Sequence, residues 1–306
     1  MKNEMVNELI GVMRERIPKG SNLANSLMEI LCMGKEAIYR RLRGEVAFTF
    51  EEVSLISQHL GISLDKIVGR RMLNDTMFDL NLLHTGDPIE SYYEILVRYA
   101  KLFDLLRDDP TASVATASNL IPFTFYSPYE CLSKFRLGRW IYHHGKMKPP
   151  ASLSDLQVPD KVPQMHWKLS ASIRQLSHTS FIWDYNIFRS IVKEIRYFAG
   201  LDLLSAEDVR NMKKELGLLL SELEAVTMTG EFSKGHSLAI YLSDINFEAT
   251  YTYVEKGDFQ ACLFRVYSIN SMDSQNPRMC NIQKNWIQSL KRHSTLISQS
   301  SEIQRR

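Results

Sequence analysis

Residues 35–43 of this 306-residue chain read Lys-Glu-Ala-Ile-Tyr-Arg-Arg-Leu-Arg. On a helix that advances about 100° per residue, Ile38 and Leu42 share one face. Arg40 then points directly away from that face, flanked by Glu36 and Arg43, with Tyr39 on the shoulder and Lys35 at the helix start. These are the groups that read base edges. A guanidinium forks onto O6 and N7 of guanine, a carboxylate accepts from N4 of cytosine, and a phenol meets a phosphate or the thymine methyl. Arg40 and Arg43 are therefore candidates for guanine contacts, Glu36 for cytosine, Tyr39 for phosphate or thymine, and Lys35 for base or backbone. Arg41 turns toward the core side, where its stem covers apolar surface while its head pairs with an acid or phosphate. The bland alternative for each arginine is a solvated surface role.

Helices on both sides must hold that face in place. Met5, Leu9, Ile10 and Met13 form the stripe of a helix over Glu4 to Arg16, and Leu23, Leu27, Ile30 and Leu31 form that of a second. Cys32-Met33-Gly34 then makes a sharp turn, with Gly34 supplying the freedom for it. Gly44 closes the basic helix as a C-cap. Thr49-Phe50-Glu51-Glu52 has capping-box spacing for a fourth helix, whose core stripe is Val53, Ile56, Leu60 and Ile62. Ser63 to Ile67 reads as a fifth, capped helix. Two short helices, a tight turn and a basic second helix, in that order, are what duplex DNA readers present to the major groove. The charge is local: residues 1–70 hold ten Lys and Arg against nine Asp and Glu.

The segment resembles the Cro and phage-repressor (XRE) class of helix-turn-helix domains, whose last helices often end in Leu-Gly-Ile-Ser-Leu-Asp, as Leu60 to Asp65 do. It covers about a quarter of the chain. More narrowly, Ala37 to Glu45 is similar to a Tyr-Arg-Arg-x-Arg-Gly-Glu version in a group of bacterial regulators of similar length. Those regulators also have stretches like Ile182-Trp183-Asp184, Ile195-Arg196-Tyr197-Phe198 and Trp286 to Arg292. The resemblance implies a lambda-repressor-like domain and a role in transcription. It implies no biochemical activity for the C-terminal region.

Composition bounds the rest. A hydrophobic content of 44% at this length buries a sizeable core, and a net charge of +2 is too small for a nonspecific nucleic-acid coat. The N-terminus lacks a signal-type apolar stretch, and no run approaches the ~18–20 apolar residues of a membrane helix, so the reading is cytoplasmic with no membrane partner. Cys32, Cys131, Cys262 and Cys280 lie far apart and read as reduced core thiols, without a metal. Adjacent His143 and His144 cannot face one site from a regular helix, and neither a phosphate loop nor a Gly-x-Ser-x-Gly elbow occurs. No catalytic residue and no cofactor are expected, and the chain reads as a non-enzyme.

Beyond residue 72, Gly86-Asp87-Pro88 marks a boundary and Ser91 to Leu106 a helix linking reader to body. Ser113 to Tyr126 reads as strand or loop, Tyr129 to His143 as helix, and Pro149 through Pro163 as loop. Helices are expected over Gln164 to Ser177, Tyr185 to Ala199 and Ala206 to Met228, with core stripes and a dimer seam available along one of them. From Ser237 the period becomes two. Leu238 to Leu242, Phe247 to Val254 and Phe259 to Ile269 read as an antiparallel meander turning at Lys256-Gly257-Asp258. Asn281 to Arg292 is a helix packing Ile282, Trp286 and Leu290 on that sheet, and Leu296 to Ser298 a short strand.

The expected fold is α+β, mostly α: a five-helix lambda-repressor-like domain over 1–72, then a helical body with a small antiparallel sheet near the C-terminus over 73–306. The expected function is sequence-specific binding of double-stranded DNA by a homodimer that regulates transcription. An extension is a one-component sensor whose C-terminal pocket binds a small-molecule effector. The alternative is a protein-interaction scaffold that docks an acidic partner on the basic helix.

Overall fold

The computed structural model describes residues 2–17, 22–62, 64, 78–81, 87–143 and 153–299. The chain divides into two compact units, 1–77 and 78–306. The expected boundary at 72/73 and the expected fifth helix from Ser63 to Ile67 lie on or beside segments outside the described residues.

The first unit contains helices α1 (Lys2–Arg16), α2 (Leu23–Leu31), α3 (Lys35–Leu42) and α4 (Phe50–Leu60). Asn22 caps α2 through its side chain, which accepts from Ala24 N at 2.8 Å. Thr49 and Glu52 form a reciprocal capping box at the start of α4, satisfying two backbone donors that a helix start otherwise leaves open. Leu9, Met13, Ala24, Leu27, Ile38, Ile56 and Ile62 close into one core, with Leu42 partly buried at its margin.

The second unit overturns the expected fold. It is built on a nine-stranded mixed sheet rather than on helices with a small terminal sheet. Three strands arise ahead of the expected sheet: β1 (Asp79–Asn81), β2 (Ser113–Ser118), within the segment expected as strand or loop, and β3 (His178–Asp184). The others are β4 (Glu231–Ser233), β5 (His236–Ser243), β6 (Tyr251–Lys256), β7 (Phe259–Val266), β8 (Asn270–Ser274) and β9 (Ser294–Leu296). Their order is β1-β8-β7-β6-β2-β3-β5-β4, with β9 also on β5. β2, β3 and β5 run parallel, so β5 does not join the antiparallel meander; that is β6-β7-β8. Parallel strands need long crossovers. The first carries α6 (Phe123–Tyr126), α7 (Glu130–His143) and α8 (Lys161–Ile173), and the second carries α9 (Ile187–Gly200) and α10 (Ala206–Thr229).

Strand order advances one way from β2 to β3 to β5, which puts both crossovers on one face of the sheet. There they join α5 (Pro88–Leu106), capped by Asp87 and belonging to this unit rather than linking two. Phe181, Trp183, Leu238, Ile240 and Val254 point into this helical layer. Alternate residues Ile182 and Tyr253 point the other way, onto α11 (Pro277–Arg292). Of the inward set expected for α11 only Leu290 is buried, together with Cys280, Gln283 and Ile287, while Ile282 and Trp286 are about half exposed. Gln283 is the reason a polar residue faces the sheet, since its amide donates to the carbonyls of Thr252 and Leu263 at 2.6 and 3.0 Å. Pro163 sits in the first turn of α8 rather than in a loop. Of the cysteines, Cys262 and Cys280 are core thiols, but Cys131 is half-buried and Cys32 exposed.

Among the described residues no helix is long and apolar enough to cross a membrane.

Candidate nucleic-acid interface

α2 and α3 are joined by three residues, and the left-handed conformation that makes the turn falls on Cys32, at φ 52°. Gly34 is extended instead, at φ −70°, with open space where a Cβ would stand, so the freedom assigned to Gly34 is not what bends the chain. Cys32 serves because a left-handed residue at a helix end directs its amide back to the last turn, here to the carbonyl of Met28. The other end of α3 does need its glycine. Gly44 has φ 76°, and the amides of Gly44 and Glu45 bond Arg41 O and Arg40 O at 3.0 and 2.9 Å.

Ile38 is fully buried and fixes the rotation of α3. Lys35, Glu36, Arg40 and Arg43 are all exposed on the far side, while Tyr39 is half-buried and packs against the core. Lys35 Nζ stands 5.9 Å from the centre of the Tyr39 ring. Arg41 turns back, as its helix angle requires, and grips Glu52 of α4 through two bonds of 2.9 and 2.7 Å, with a third to Ala37 O. Arg41 is therefore a brace between helices. Its bond holds the Glu52 carboxyl below the usual range, against a burial effect that pushes the other way.

One residue absent from the expected set completes the exposed face. Glu45 accepts from Arg43 Nε at 2.7 Å and lies 3.6 Å from Arg40 Nε, and Glu36 lies 3.3 Å from Arg43 Nη2. The bond from Arg43 pulls the Glu45 carboxyl below its usual range. Glu45 follows the helix by three residues, outside any helical periodicity. The signal was Gly44: a left-handed residue after the last turn folds the next side chain back over Arg40 and Arg43. The face thus holds three cations, Lys35, Arg40 and Arg43, and two carboxylates, Glu36 and Glu45. All are solvated, so their mutual pairing is weak and exchangeable.

This arrangement suits recognition of a groove. Arg40 and Arg43 project one helical turn apart, each about half exposed, and a rigid core lies directly behind them. A phosphate or a guanine edge competes for the guanidiniums on better terms than a solvated carboxylate does, because bidentate contacts add geometry to charge. Compared with known protein families, with curated proteins and with solved structures, the chain has no match.

Proposed function

We propose that the protein is a sequence-specific DNA-binding transcriptional regulator that works in the cytoplasm as a homodimer. The observation that carries this reading is the division of α3 into a buried side, Ile38 with the Arg41 brace, and an exposed side bearing Lys35, Arg40 and Arg43. Preceded by α2 and a three-residue turn, that is the arrangement by which a second helix enters a major groove. Base readout falls to Arg40 and Arg43, with Glu36 beside them; Lys35 and Tyr39 position the helix on the backbone. A two-fold dimer would set half-sites about one helical turn, ~34 Å, apart.

A second reading rests on a specific observation, that Arg40 and Arg43 already engage the carboxylates of Glu45 and Glu36. An acidic protein segment would use the same face, making the unit a docking module. Salt-dependent titration of random-sequence duplex DNA separates the two. The DNA reading expects affinity that falls steeply with salt and is lost when Lys35, Arg40 and Arg43 are all replaced by Gln. An unaffected triple variant, or no duplex binding at low salt, overturns it.

A further inference from the structure

The second unit carries a small pocket on the helical side of its sheet, with a volume of about 90 Å³. Its walls are apolar: Leu102 and Phe103 of α5, Phe123 of α6, and Phe181 and Leu263 of the sheet. Its floor is not. Thr116 and Thr252 stand opposite each other on β2 and β6 with hydroxyl oxygens 3.1 Å apart. In the next row, Arg265 pairs with Ser271 across β7 and β8, and its amide bonds Thr250 O at 3.1 Å. Thr116, Thr250 and Ser271 are all buried. A sheet face covered by helices is ordinarily apolar, because polar groups taken from water must find partners or cost free energy.

Arg265 is the charged group of this floor. Among the described residues it makes no ion pair, although Asp273 stands one row away on the same face, opposite Leu263. Further cations lie buried in the same unit. Arg136 and Arg139 of α7 are buried and share one carboxylate, Glu194, leaving Nε and Nη2 of Arg136 and Nε of Arg139 without hydrogen-bond partners. Arg265 is the guanidinium that lines the pocket, and its planar fork suits a carboxylate or another small anion.

We propose that this pocket binds a small monocarboxylate. Its carboxylate would sit on Arg265 beside Thr250 and Ser271, and its short apolar chain would lie between α5 and α6 over the Thr116–Thr252 row. Size sets the class: a dry cavity of roughly 150 Å³ holds benzene, so this pocket takes only a few carbons. Inorganic phosphate would leave the aromatic walls unfilled, and a hydrocarbon would leave Arg265 unpaired. As an effector site the pocket rests on the proposed DNA-binding function; occupancy itself does not.

The test titrates the full chain, without DNA, with sodium butyrate, n-butanol and inorganic phosphate while following the methyl resonances of Val254 and Leu263. Saturable shifts are expected with butyrate, at an affinity at least tenfold tighter than butanol or phosphate, and a loss of tenfold or more in Arg265→Gln. Butanol or phosphate binding as well as butyrate overturns the proposal, as does an absence of saturable shifts. The wild-type comparison stands even if the variant fails to fold. A chain that binds butyrate but not duplex DNA keeps the pocket and loses the regulator; one that binds DNA but not butyrate does the reverse.

Discussion

The Arg41 guanidinium and the Glu52 carboxylate meet in a two-bond fork, Nε to Oε2 at 2.9 Å and Nη2 to Oε1 at 2.7 Å. The same Oε2 accepts from the Thr49 amide at 2.9 Å. One carboxylate therefore caps α4 and ties it to α3, so the helix that carries Arg40 and Arg43 is held at its buried edge by a charged pair. Both side chains are nearly shielded from solvent, at 13% and 9% exposure.

Removing one member of that pair strands the other. Arg41→Met should destabilise the first unit by about 3 kcal/mol, the cost of leaving a largely buried carboxylate unpaired. Arg41→Met with Glu52→Gln should recover much of it, because the amide still caps Thr49. Calorimetric unfolding of the three chains checks this, and an additive double variant would show that the pair is not coupled.

Arg40→Ala should leave the fold intact, since the side chain is about half exposed and its one ionic contact among the described residues is the solvated Glu45. Specific DNA affinity should fall by about 1–3 kcal/mol, with preference relaxed at one base position. Titration of the variant on a preferred site and on single-base substitutions of it checks both parts.

Glu45→Gln should strengthen DNA binding. It removes the carboxylate that Arg43 and Arg40 engage, and so a competitor for phosphate and base edges. Duplex affinity at low salt should rise several-fold, with a steeper salt dependence. Weaker binding would mean that Glu45 organises the arginines rather than competing for them.

In the second unit, His166 is buried against Tyr92, whose hydroxyl lies 2.8 Å from its Nε2. Burial pushes the imidazole pKa down to about 4 from an ordinary 6.5. The unfolded chain therefore takes up a proton before the folded one does. Stability from this group is complete above pH 6.5 and is lost as pH falls toward about 4, by roughly 3 kcal/mol at ~1.36 kcal/mol per unit. Chemical denaturation at stepped pH should show this slope, and His166→Gln should flatten it.

The first unit was legible because local signals agree there: the Thr49–Glu52 box, the Gly44 cap and the Ile38 phase each occupy a few neighbouring residues. In the second the helices and the hairpin at Lys256-Gly257-Asp258 were legible, but the central sheet was not, because it is assembled over long range. β2 reads Ser-Val-Ala-Thr-Ala-Ser, small residues without strong alternation, yet it lies at the centre of the sheet, paired with β3 and β6. β3 is buried on both faces, so Phe181, Ile182 and Trp183 form a run rather than an alternation. The α11 error has a similar origin, because Gln283 rather than an apolar residue is what the sheet carbonyls select. Glu45 was missed because turn geometry, not periodicity, aims it.

Selection of bound sequences from a random duplex pool by the full chain tests the central claim most directly. The account predicts enrichment of one pseudo-palindromic motif with half-sites about one helical turn, ~34 Å, apart, and a relaxed base position when Arg40→Ala is selected in parallel. A pool that stays random through successive rounds would contradict it, as would a motif whose base preferences are unchanged in Arg40→Ala.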